Sequence, residues 1–131
     1  MKSVLRNSSR HFALLAAIAA TGSFAMGADA PPGKQEICDK VLHATQIDDR
    51  DAFLSNATDG FKKAITPVVF NRVSKILSPH LSKGFETSYL CNLKQGARQV
   101  YLWKVIFNDG YNDMLLRVYL RDGQLDGCLI Q

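Results

Sequence analysis

Two Asp-Gly pairs, Asp109-Gly110 and Asp122-Gly123, lie between runs of apolar, β-branched and aromatic residues. They constrain the second half of this chain more than any other feature. Such pairs favour two-residue hairpin loops, because that turn needs positive φ at both central positions. With Asp109-Gly110 as a loop, Val105 faces Met114, Trp103 faces Leu116 and Tyr101 faces Val118. With Asp122-Gly123 as the next, Leu120 faces Leu125, Val118 faces Gly127 and Leu116 faces Leu129. Side chains alternate along a strand. One face then collects Tyr101, Trp103, Val105, Met114, Leu116, Val118, Leu120, Leu125 and Leu129, all apolar, and this face must be covered. The other face is mixed: Leu102, Lys104, Ile106, Leu115, Arg117, Tyr119, Cys128 and Ile130. The predicted strands are Phe85–Leu93, Val100–Phe107, Met114–Arg121 and Gln124–Ile130.

The first half has a different period. Gln35 to Gln46 reads as a helix with Ile37, Val41, Leu42 and Ala44 on one stripe. Asp48 is placed to cap a short second helix holding Ala52, Phe53 and Leu54. Thr58-Asp59-Gly60 breaks the pattern, and Phe61 to Ile65 adds a further apolar turn. Thr66-Pro67 is the clearest helix start, because threonine accepts from a free first-turn N–H and proline has none to lose. Phe70, Val73, Ile76 and Leu77 follow at helical spacing. Ser78-Pro79 is expected to end or kink this helix, and Gly84 closes the helical half. Three helices followed by a four-stranded antiparallel meander make an α+β domain over residues 35–131.

Residues 1–27 read as a Sec-type signal peptide. Lys2, Arg6 and Arg10 precede the uncharged run Phe12–Ala20, and Ala25-Met26-Gly27 suits cleavage before Ala28. Periplasmic or secreted localisation follows. Residues 28–34 read as a disordered leader. The remaining 104 residues carry 13 basic and 12 acidic side chains, a net charge of +1. With no basic cluster, nucleic acid is not an expected partner, nor is a membrane surface after cleavage. Cys38, Cys91 and Cys128 match no zinc spacing, and Asp48, Asp49 and Asp51 lack the spacing of a calcium loop. No metal or cofactor is expected. Cys91 and Cys128, on the first and last strands, would lie about 14 Å apart across three strand spacings, too far for a disulfide. Cys38 could reach Cys91 only if Cys91 points inward. His80, after Pro79, reads as a solvent-exposed linker residue.

DDRDAF at 48–53, ATDGFKKAITPVVF at 57–70, GFETSYLCNLKQ at 84–95, YLWKVIF at 101–107 and DGQLDGCLIQ at 122–131 together resemble the NTF2-like (cystatin-like, cone-shaped) superfamily. The resemblance runs from Asp48 to Gln131 and is to small exported bacterial proteins of unassigned activity. It implies helices and a bent sheet around a pocket. Some members are enzymes, such as ketosteroid isomerases and scytalone dehydratase; others bind ligands or dimerise. On this reading His43, Tyr89, Tyr101 and Trp103 are the candidate pocket residues. Leu102, Ile106, Leu115, Tyr119 and Ile130 are the candidate dimer face. The expected function is a non-catalytic exported module that dimerises through its sheet and takes a small apolar ligand. The alternative is an isomerase or dehydratase with His43 as base and Tyr89 or Tyr101 polarising a carbonyl. A cystatin-type protease inhibitor is disfavoured, since Gln99-Val100-Tyr101-Leu102-Trp103 lacks the glycine expected in that hairpin motif.

Overall fold

The computed structural model describes residues 29–131, so the signal-peptide reading lies outside the described residues. Gly33, at φ 78°, turns the chain into helix α1, Lys34–Gln46. Its buried residues Cys38, Val41, Leu42 and Thr45 recur every three or four positions, which fixes the face it turns inward. Helix α2 is Arg50–Phe53. Its cap is Asp49, whose carboxylate accepts from Ala52 N–H at 2.9 Å. The expected cap, Asp48, instead adopts a left-handed φ of 58°, which moves the helix start one residue on.

Thr58-Asp59-Gly60 does not break the chain. Thr58 caps a further helix, α3, Asp59–Ala64, by accepting from Phe61 N–H. The described residues therefore form four helices where the sequence predicted three. Helix α4, Pro67–Ser82, starts as expected, with Thr66 accepting from Val69 N–H at 3.2 Å. It then runs on through Pro79. The carbonyl that loses its donor belongs to Lys75, an exposed residue where water can replace the bond. The last turn is held instead by Leu81, which is fully buried, and by His80.

The strands are β1 Phe85–Gln95, β2 Arg98–Phe107, β3 Met114–Arg121 and β4 Gln124–Ile130, in the order β1-β2-β3-β4 and all antiparallel. The β2–β3 register is the predicted one: Val105 opposite Met114, Trp103 opposite Leu116, Tyr101 opposite Val118. The turn is not the predicted tight one. Positive φ occurs at Gly110 but not at Asp109, and residues 108–113 form a longer loop. The extra residues leave the pairing on either side in step, so the register survives.

The β3–β4 turn is as expected, with Asp122 at φ 51° and Gly123 at φ 80°. Leu120 faces Leu125, but the register then slips by one. A bulge at Asp126 places Tyr119 opposite Gly127, Val118 opposite Cys128, Arg117 opposite Leu129 and Leu116 opposite Ile130. This corrects three assignments. Cys128 and Ile130, expected on the outer face, pack against the core. Leu129, expected inside, is 42% exposed. The bulge is pinned through its own side chain: Asp126 accepts from the Thr58 hydroxyl at 2.7 Å and meets Arg121 at 3.2 Å and Arg98 at 3.3 Å.

A second bulge, at Leu90, puts Cys91 opposite Leu102 on the outer face. The core joins Trp103, Val105, Leu116, Val118 and Leu120 of the sheet to Val41, Leu42, Phe53, Phe70, Leu77 and Leu81 of the helices.

Candidate functional site

The inward turn of Cys128 and Ile130 builds one wall of an apolar cavity of about 160 Å³. Leu116 adds to that wall from β3. Val41, Leu42 and Thr45 of α1 line it from one side, and Val69, Phe70, Val73 and Leu77 of α4 from another; Phe53, Ile65 and Leu129 complete it. Val69, Val73 and Leu129 are partly exposed, so the cavity opens between α4 and β4. Its only side-chain polar groups are the Thr45 hydroxyl and the Cys128 thiol. The hydroxyl is committed to Val41 O at 2.8 Å. Burial pushes the Cys128 thiol up to about 12, so it stays protonated near neutral pH. The lining thus offers shape and apolar surface, with no charge at neutral pH.

The four predicted pocket residues lie elsewhere. Trp103 is completely buried and donates its indole N–H to Gln35 Oε1 at 3.0 Å. Tyr89 meets it edge-on with ring centres 5.6 Å apart, and Tyr101 lies tilted at 6.3 Å. The Tyr89 hydroxyl accepts from Asn92, and the Lys34 ammonium sits over the Tyr101 ring. These aromatics fill the interior beneath the start of α1. His43 lies on the exposed face of α1. None of the four lines the cavity.

The outer sheet face keeps Leu102, Ile106, Leu115 and Tyr119, all half-buried, and loses Ile130 to the interior. Lys104 and Arg117 interrupt it. Lys104 pairs with Asp113 at 3.1 Å, whereas Arg117 has a buried Nε without a hydrogen-bond partner among the described residues.

A polar cluster that sequence reasoning missed joins α4 to the β2–β3 loop. His80 is no linker residue: its Nδ1 lies 2.7 Å from Asp109 Oδ2, and its ring stacks on Tyr111 with centres 3.7 Å apart. The His80 hydrogen bond first, and the Tyr111 N–H second, hold the Asp109 carboxyl below its usual range. A histidine in the last turn of a helix is a signal for carbonyl or carboxylate pairing, but nothing in the sequence selects Asp109.

The cysteines are all free. Cys38 is buried, and burial chiefly raises its thiol to about 12, while Cys91 is exposed on the outer face. Among the described residues no group of three His, Cys, Asp or Glu side chains is placed to hold a metal ion. Among them too, no helix is long and apolar enough to cross a membrane. No protein-family model matches the chain, no curated protein matches it, and no solved structure matches it.

Proposed function

We propose that this chain is an exported, non-catalytic module of the NTF2-like kind that holds a small apolar molecule between α4 and β4 and meets a second copy through its sheet. The observation that carries the reading is the cavity. Its volume, about 160 Å³, is close to that of an engineered cavity of about 150 Å³ that takes up benzene. Its lining carries no charge at neutral pH, so a neutral ligand of about six to nine heavy atoms fits best. The α+β architecture, with helices ahead of a four-stranded antiparallel meander, is compatible with the NTF2-like resemblance. Self-association is favoured by the apolar residues left on the sheet. The isomerase or dehydratase alternative asks for His43 beside Tyr89 or Tyr101, and the exposed position of His43 lends it no support.

The test is a titration with benzene or indole followed through methyl resonances. Shifts confined to Val41, Leu42, Val73, Leu77 and Leu116, and abolished in Val73→Trp, are the expected result. Val73 stands partly exposed at the mouth, so the larger ring closes the cavity without entering the packed core. Saturating probe with no shift at these methyls would overturn the reading. Export is checked separately by sequencing the N-terminus of the secreted protein, which is expected to begin at Ala28.

A further inference from the structure

β4 is an edge strand whose outer side is only partly covered. At Leu125 the edge is occupied: Thr58 N–H donates to Leu125 O at 2.9 Å and Leu125 N–H to Asn56 O at 2.8 Å. Beyond Leu125 no described strand pairs with that side. Leu115 and Gln131 exchange both of their backbone hydrogen bonds. In an antiparallel ladder such pairs alternate with pairs whose N–H and C=O point away. Counting back from Gln131, the outward-pointing residues are Ile130 and Cys128, opposite Leu116 and Val118. Among the described residues neither has a backbone hydrogen bond outside the sheet.

The two positions are self-complementary. We propose that the free edge of β4 is where a second copy of this chain docks, antiparallel, with Cys128 opposite Ile130 of the other copy and Leu129 on the two-fold axis. This rests on the self-association reading above and names the part of the sheet that performs it. Under that two-fold, Cys128 and the facing Ile130 exchange N–H and C=O, and the symmetry-related pair does the same. Every open group on this stretch is then satisfied. Shifting the strands to put Cys128 on its own mate would set Ile130 against the bulge at Asp126. The pairing spans residues 127–131 of each copy and stops short of Leu125, so residues 56–58 keep their place.

Side chains agree with the backbone. Exposed edges are usually protected by charge, proline or a twist. The opposite edge strand, β1, has such protection in Glu86, Lys94 and the bulge at Leu90. The Gly127–Ile130 stretch has none after its bulge. Exposed apolar residues flank it, Leu129 on the outer side and Val69 and Val73 on the helix side. An eight-stranded sheet across two copies would cover them.

The experiment is a cross-link at the axis. Across a two-fold of this kind the paired Cα atoms of residue 129 lie about 4.5 Å apart, within disulfide reach. Leu129→Cys in a Cys91→Ser background is treated with oxidised glutathione and run on a non-reducing gel beside Cys91→Ser alone. Light scattering supplies the mass in solution. The expected result is a dimer in solution for Cys91→Ser, and near-complete conversion to a covalent dimer only when the Leu129→Cys substitution is added. A dimer that resists cross-linking and is dissociated by Tyr119→Glu would overturn the edge proposal while keeping self-association through the sheet face. A monomer throughout would overturn both.

Discussion

The Ser74 hydroxyl, almost wholly buried, donates to the main-chain oxygen of Thr45 at 3.1 Å. One turn on, Ser78 donates to Gln46 O at 2.5 Å. These are two of the carbonyls that the C-terminus of α1 cannot satisfy internally, so the serines of α4 act as its cap. Asp48 N–H also reaches Thr45 O, at 3.3 Å, so the carbonyl keeps one weak donor when Ser74 is lost. Ser74→Ala is therefore expected to cost about 1–2 kcal/mol in urea unfolding. Ser78→Ala, in a partly exposed setting, is expected to cost less. A neutral Ser74→Ala would show that the contact does not hold α1 to α4.

Gly127 stands where the bulge brings β4 against Tyr119. A Cβ built there would lie 3.1–3.2 Å from the Tyr119 side chain, closer than packed carbon atoms sit. Gly127→Ala is expected to destabilise by about 1–3 kcal/mol through overpacking. Adding Tyr119→Ser is expected to recover part of that loss, because two of the three close atoms belong to the ring while the Tyr119 Cβ remains. Additive effects in the double mutant would rule out this clash as the cause.

The same bulge marks the boundary of what the sequence could reveal. The β2–β3 register was legible because the Asp109-Gly110 loop, though longer than expected, keeps the two strands in step. The β3–β4 register was not. Its slip depends on Asp126 finding Thr58, 68 residues away in the chain. No local period records that contact, and a one-residue slip exchanges the faces of everything after it. The cavity, whose wall is Cys128 and Ile130, was hidden for this reason. The helical positions that line it, Val41, Leu42, Phe70 and Leu77, were visible as a core stripe but not as the sides of a space. Thr66-Pro67 was readable because a cap is local chemistry. The continuation of α4 through Pro79 was not, because it depends on Lys75 being exposed.

Asp109 and Asp126 are expected to contribute to the acid limb of stability. Both carboxyls are held below their usual range, Asp109 chiefly by His80 and Asp126 chiefly by the Thr58 hydroxyl. A depressed folded pKa means that the unfolded chain takes up protons first. The stabilisation is thus present above the unfolded value, about 3.9, and is lost as pH falls through the folded values. Asp109→Asn is expected to flatten the fall in urea midpoint below about pH 4. An acid limb as steep as that of the parent would exclude Asp109 as a contributor.

The thiols separate by exposure. Cys38 and Cys128 are both raised to about 12, mainly by burial, whereas Cys91 is exposed. Only the thiolate attacks a disulfide reagent. Native protein at about pH 8 is expected to release one equivalent of thionitrobenzoate quickly, from Cys91, with the other two following only on unfolding. Rapid release of more than one equivalent would mean that Cys38 or Cys128 is reached without unfolding. A raised pKa also gives the opposite sign from the carboxylates. The contribution of these thiols holds below about pH 8.5 and falls as pH climbs toward their folded values.

Leu77 tests the cavity as a binding site and as a packing defect at once. It is buried and lines the space together with Leu42 and Phe70. Leu77→Ala is expected to cost about 2–5 kcal/mol, the usual range when a buried leucine is truncated next to space that cannot collapse. The enlarged cavity should then accept a larger probe. The same concentration of indole is expected to return more stability to Leu77→Ala than to the parent. At free concentration L, a ligand that binds only the folded state stabilises it by RT ln(1 + L/Kd), which is larger for the protein that binds it more tightly. Thermal unfolding with and without indole measures both effects. A destabilised Leu77→Ala that indole does not rescue would mean that the helices close over the gap, leaving no room for a ligand.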